Sequence, residues 1–101
     1  MATDSDNPID TADPFARRLL SQYVRRRTDD LAAMRAALDE GRFEDIRLAG
    51  HNMSGTGAAY GLEKVSELGA GLEFAAEAKH AGQIEKLIAE LESYIGNLRL
   101  T

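Results

Sequence analysis

Apolar residues recur at three- and four-residue spacing along almost the whole chain, which is the period of a helix face. Phe15, Leu19, Tyr23 with Val24, Leu31, Met34 and Leu38 predict one long amphipathic helix from Pro14 to about Glu40. Proline suits its first turn, Asp13 or Thr11 can cap it, and Gly41 is its expected C-terminal cap. The pattern lapses around Arg27, so a kink is expected near Thr28-Asp29-Asp30. A second helix starts near Phe43, with Glu44 and Asp45 at the positive end of its dipole, and runs to about Tyr60-Gly61. A third extends from Leu62 to about Lys79 with Leu62, Val65, Leu68, Leu72 and Ala75/Ala76 as its stripe. Ala81-Gly82 breaks the chain, and Ile84, Leu87, Ile88, Leu91, Tyr94, Ile95 and Leu98 face inward on a fourth. No stretch alternates with period two for long enough to be a strand. Four such helices with short connections predict an all-α, antiparallel up-down-up-down four-helix bundle over residues 12–101. Residues 1–11, polar, acidic and interrupted by proline, read as a flexible tail.

One stretch departs from good helix composition. Gly50, Gly55, Gly57 and Gly61 surround His51, although each helical glycine costs about 0.8–1 kcal/mol relative to alanine. On a helical wheel Ile46, Ala49, Met53 and Tyr60 fall on one side, with Gly50 and Gly57 on the same flank. Small residues at Gly50, Gly57, Gly69 and Ala70 would let the second and third helices approach closely. His51 lies about 140–200° from the apolar side chains and points outward. Arg47, Ser54, Gly55 and Ala58 share its face within about 60°. Taken alone, this helix describes an ordinary surface histidine beside glycines needed for packing. It also describes an exposed imidazole next to bare backbone that another group can approach.

Composition narrows the choices. A chain of 101 residues makes one domain, and without cysteine it has no disulfide or thiolate chemistry. No apolar run reaches membrane-spanning length and the polar, acidic start is unlike a signal peptide, so a cytoplasmic, free-standing protein is expected. Of the net charge of −5, residues 1–13 contribute four aspartates and no base; the remainder holds 12 basic and 13 acidic groups. With no basic excess and no tryptophan, nucleic-acid binding is not expected. Arg17, Arg18 and Arg25-Arg26-Arg27 read as a solvated helix face. The glycines do not match a dinucleotide or P-loop motif, which would need a preceding strand or a lysine. A metal site is equally poor: His51 and His80, 29 positions apart, are the only histidines. His80 is expected at a helix C-terminus, where an imidazole interacts favourably with the dipole. Nothing marks a nucleophilic triad.

Residues 48–73, from Leu48-Ala-Gly-His51-Asn-Met-Ser-Gly through Leu-Gly-Ala-Gly-Leu-Glu73, resemble the signature of histidine phosphotransfer (HPt) domains. That signature has a histidine, an apolar residue two on, usually a lysine three on, then glycine, and glycine again ten after the histidine. Here these positions are His51, Met53, Ser54, Gly55 and Gly61. The lead-in of residues 30–43 is similar too, and the likeness covers about residues 13–98. The resemblance implies a phosphoryl carrier without autonomous catalytic activity. His51 would accept a phosphoryl group on Nε2 and exchange it with receiver-domain aspartates of response regulators or hybrid histidine kinases. No cofactor of its own is expected, magnesium being brought by the receiver. Glu73, 22 positions after the histidine, would accept a hydrogen bond from Nδ1 and orient the ring. Ser54 departs from the family lysine and carries no charge; Arg47, one turn before His51, is the candidate to supply the missing cation. Arg47, Leu48, Ser54, Gly55 and Ala58 would form the docking surface of a monomeric carrier. The rival expectation is a phosphorylation-independent helical adaptor that binds and inhibits a receiver or kinase domain.

Overall fold

The computed structural model describes residues 13–98. The segment read as an acidic tail, 1–11, and the alternative cap Thr11 lie outside the described residues. Four helices follow in order: α1 Pro14–Asp39, α2 Phe43–Thr56, α3 Glu63–Glu77 and α4 Ala81–Gly96, with a 3₁₀ turn Ala58–Tyr60 between α2 and α3. Among the described residues there is no strand. Each helix packs on two others, α1 and α3 both lying against α2 and α4, so the chain closes an all-α four-helix bundle. Its core is built from Leu20, Tyr23, Leu31 and Met34 of α1, Ile46 and Met53 of α2, and the apolar stripes of α3 and α4. Leu62, Val65, Leu68, Leu72, Ala75 and Ala76 are all buried, as are Ile84, Leu87, Ile88 and Leu91. The α1 stripe is shorter than its periodicity. Phe15 and Leu19 are 67% and 40% exposed. α2 ends at Thr56, whose hydroxyl meets the Tyr23 hydroxyl at 2.7 Å, so the first turns of α1 run on past it.

Local chemistry sets the helix ends. Asp13 caps α1, its Oδ1 accepting from the Phe15 N–H at 3.0 Å. α1 is unbroken through the expected kink; there the Thr28 hydroxyl donates to the Val24 carbonyl one turn back, at 3.2 Å, and stays within the helical ladder. At its end Gly41 has φ +71°, the left-handed conformation that lets the Arg42 and Gly41 amides fold back onto the Ala37 and Leu38 carbonyls at 2.8 and 3.1 Å. α3 closes in the same way without a glycine. Lys79 adopts φ +55°, and the His80 and Lys79 amides reach the Ala75 and Ala76 carbonyls at 2.9 and 3.0 Å. α3 therefore stops before the expected end, and Ala81-Gly82 opens α4 instead of breaking the chain. His80 stands just past the end of α3, but its ring serves the next helix: it is the N-cap of α4, with Nδ1 accepting from the Gln83 N–H at 3.2 Å.

A left-handed backbone costs an L-residue roughly 1–2 kcal/mol, while glycine adds about 0.5–1 kcal/mol of unfolded-chain entropy. Lys79→Gly is therefore expected to raise unfolding stability by about 0.5–1 kcal/mol, read from urea unfolding. Unchanged or lower stability would show that Lys79 is not strained.

The tightest contact in the bundle is between α2 and α3. A Cβ placed on Gly50 would sit 2.7 Å from the Glu73 nitrogen and 2.7 Å from the Gly69 carbonyl oxygen. One on Gly69 would meet the Met53 Cβ and the Ser54 nitrogen, each at 2.7 Å. Gly57 is as confined, 2.6 Å from the Ser66 nitrogen. Three of the four small residues expected at this crossing are there; Ala70 is exposed and takes no part. α2 ends sooner than its period because Ser66 intervenes. The Ser66 hydroxyl takes the Ala58 N–H at 2.8 Å, and the Gly57 carbonyl accepts from both Tyr60 and Leu62. The helical ladder cannot continue past those bonds. Tyr60 then stacks on Tyr23, ring centroids 4.2 Å apart, while the Arg27 guanidinium covers the other ring at 4.3 Å from its centroid. Arg27 is thus part of the packing and faces Asp30 at 2.8 Å, unlike Arg17, Arg18, Arg25 and Arg26, which are exposed.

Candidate functional site

The α2–α3 crossing decides what stands beside His51. Because Gly50 and Gly69 let the two backbones touch, Glu73 of α3 comes level with the exposed face of α2. His51 Nδ1 and Glu73 Oε2 are 3.2 Å apart. The histidine side chain is 67% exposed and the glutamate 25%. An ionised carboxylate can only accept a hydrogen bond, so Nδ1 carries the proton and donates it to Glu73. The neutral ring then keeps its lone pair on Nε2, the nitrogen away from the carboxylate. The arrangement leaves Nε2 open to solvent on a ring that a carboxylate meets from behind. Any positive charge that builds on the ring falls beside a carboxylate.

Arg47 stands one turn before His51 and its guanidinium already has a partner. Nε and Nη2 donate to the two carboxylate oxygens of Glu44, at 2.9 and 2.6 Å, in a bidentate pair. Nη1 lies 4.0 Å from the same Glu73 oxygen that accepts from His51. The Glu44 bond, with weaker attraction from Glu77 and Glu73, holds the Arg47 guanidinium above its ordinary pKa, and the same bond holds the Glu44 carboxyl below the usual carboxylate range. The bond to Glu44 follows from i, i+3 spacing on one helix. Glu73 and Glu77 join it only through the crossing, which spacing along α2 does not reveal.

The remaining candidates separate. Leu48 is 48% exposed and lies outside the core. Gly55 is exposed, and among the described residues no atom lies within 4 Å of where its Cβ would be. Ser54 is half-buried, its amide against Gly69. Ala58 is exposed but sits on the 3₁₀ turn beyond α2, so the helical wheel that places it with His51 does not extend to it. Sequence reasoning missed the group that shapes this end of the site, Ser66, which holds the Ala58 amide from α3. A serine eight residues ahead gives no local signal of that role.

Among the described residues no cluster of three or more histidines, cysteines or acids is placed to hold a metal ion, and no helix is long and apolar enough to cross a membrane. Comparison with curated proteins and with solved structures gives no match. The family model of the Hpt domain matches residues 18–100, a span that includes α2, α3 and the whole His51–Glu73 pair. An all-helical bundle with an exposed histidine at its closest helix crossing agrees with that match. The chain belongs to the Hpt domain family, helical phosphocarrier modules of histidine phosphorelays that work with receiver domains and histidine kinases.

Proposed function

We propose that His51 is the phosphoryl acceptor of this carrier and that Glu73 positions it. The observation that carries the reading is the 3.2 Å contact between Nδ1 and a carboxylate on an imidazole whose other edge is open to solvent. The Nε2 lone pair attacks the phosphorus of a receiver-domain aspartyl phosphate. The new N–P bond forms as the bond from phosphorus to the aspartate oxygen breaks, and the electron pair leaves with the aspartate carboxylate. Nδ1 keeps its proton throughout, so the ring becomes cationic and Glu73 offsets that charge. The reverse steps return the phosphoryl group to a receiver aspartate. In-line transfer depends on positioning and charge neutralisation, and here the receiver's magnesium supplies most of the latter. That division of labour is why an exposed histidine, with no enclosed pocket around it, suffices on this side.

The receiver is proposed to seat on the face formed by Arg47, Leu48, Ser54 and Gly55, with Ala58 at its edge on the 3₁₀ turn. Leu48 offers exposed apolar area beside the histidine, and Gly55 offers bare backbone. The experiment is a transfer assay from phosphorylated receiver domains to the purified protein, with His51→Gln beside it. Acid-labile, alkali-stable label on the unaltered protein alone is the expected result. Receiver binding without label, retained in His51→Ala, would replace the carrier reading with that of an adaptor.

A further inference from the structure

We infer that Arg47 is a counter-ion stored on Glu44 and handed to the phosphoryl group when His51 is loaded. The inference rests on His51 being the acceptor. Its physical basis is the charge around the ring. Glu73 lies against Nδ1, Glu44 is bound to Arg47, and Glu77 lies near enough to act on the same guanidinium. Three carboxylates thus share one arginine. A dianionic phosphoryl group arriving on Nε2 adds two further negative charges to a face that is already acidic. Ser54, on the same face, offers only a hydroxyl.

Arg47 is the cation that can answer this. It lies one turn from Glu44 on its N-terminal side and one turn from His51 on its C-terminal side, all three on one face of α2. At rest it points back toward the N-terminus, the ordinary direction for a long helical side chain. Its bond to Glu44 is geometrically good but open to solvent on the Glu44 side, and solvent-screened ion pairs are weak. A phosphoryl dianion presents the same two-oxygen fork with more charge, and guanidinium binds that fork bidentately. One rotation of the Arg47 side chain exchanges the first partner for the second. Glu73 does not compete for it, because its oxygen remains with the cationic ring. Glu44 is therefore an opponent of the loaded state: it keeps Arg47 occupied, and its own charge repels the incoming group.

This makes opposite predictions for two neighbours on one surface. Phosphoramidate serves as a small donor that needs no docking. Nε2 attacks its phosphorus, the donor's P–N bond breaks, and ammonia leaves with the electron pair. Decay of the phosphohistidine is then followed by ³¹P NMR, with the Arg47 Nε–H cross-peak recorded before and after loading. Arg47→Ala is expected to shorten the phosphohistidine lifetime by about three- to tenfold. Glu44→Gln is expected to lengthen it by about two- to threefold, and by less than that in the Arg47→Ala background, where only the repulsion by Glu44 is left to remove. The Arg47 cross-peak should move on loading in the unaltered protein. Equal lifetimes in all variants, a shorter lifetime in Glu44→Gln, or an unmoved cross-peak would each overturn the exchange while leaving His51 as the acceptor. Failure of the unaltered protein to take label on His51 would overturn the acceptor reading and the exchange with it. The variants alter exposed Glu44 and half-buried Arg47, both outside the core, and their folding is checked by circular dichroism.

Discussion

Gly69→Ala is expected to lower stability by about 2 kcal/mol, although alanine is the better helix former by about 1 kcal/mol. The new methyl would lie 2.7 Å from the Met53 Cβ and the Ser54 nitrogen and 2.8 Å from the Gly50 carbonyl oxygen. None of these atoms can turn aside as the end of a flexible side chain would. The helices must separate, and overpacking of this kind costs about 1–3 kcal/mol or more, enough to exceed the gain in propensity. For a domain of this size a 2 kcal/mol loss corresponds to a melting temperature lower by roughly 10 °C. A second effect follows from where the wedge falls. Glu73 is one turn along α3 from Gly69, so moving α3 outward draws its carboxylate from His51. The variant should therefore lose the fixed Nδ1–H tautomer at temperatures where it is still folded. Thermal unfolding by circular dichroism and ¹⁵N NMR of the His51 ring read the two effects separately. An unchanged melting temperature would mean that the helices do not meet as closely as described.

The same crossing explains what could be read along the chain and what could not. α3 and α4 were legible almost residue by residue because their apolar stripes run without interruption from Leu62 to Ala76 and from Ile84 to Leu98. Periodicity reports which side of a helix is apolar but not how far a neighbour extends, so Phe15 and Leu19 continue the α1 stripe in sequence and stand in solvent in the fold. The end of α2 depends on Ser66, a residue of the next helix, and no local pattern contains it. The cap that His80 gives α4 is not legible because the turn before it uses Lys79 in a conformation ordinarily signalled by glycine. At the site, helical spacing correctly turned His51 outward. The partnership with Glu73 was reached through resemblance to a family and not through periodicity, since nothing in α2 indicates which residue of α3 lies opposite. The same holds for Arg47. Its bond to Glu44 lies within one helix, whereas the acidic surroundings that give that bond its meaning come from α3.

Gly55→Gln is expected to leave the fold intact, or slightly more stable, and to reduce transfer from a receiver by more than about tenfold, the equivalent of 1.4 kcal/mol. The two halves of this prediction have different origins. Gly55 lies within α2, where glycine costs about 0.5–1 kcal/mol relative to alanine, and among the described residues none approaches its missing side chain within 4 Å. Gly50 and Gly57 earn their places by admitting α3; Gly55 admits none of the described residues. A helix that bears such a cost one turn from an exposed histidine has a bare patch without an internal use. A receiver whose backbone must approach the His51 ring gives the patch one. Glutamine extends into that space, opposing docking while improving the helix. Loading from phosphoramidate, which needs no docking, should proceed in the variant as in the unaltered protein. The decisive comparison is thus between the two donors: a selective loss with the receiver supports the docking face, and equal transfer from both would place the receiver elsewhere. Gly55→Ala, with a single methyl, should gain about 0.5–1 kcal/mol in urea unfolding and lose less transfer than glutamine, because the obstruction grows with the side chain.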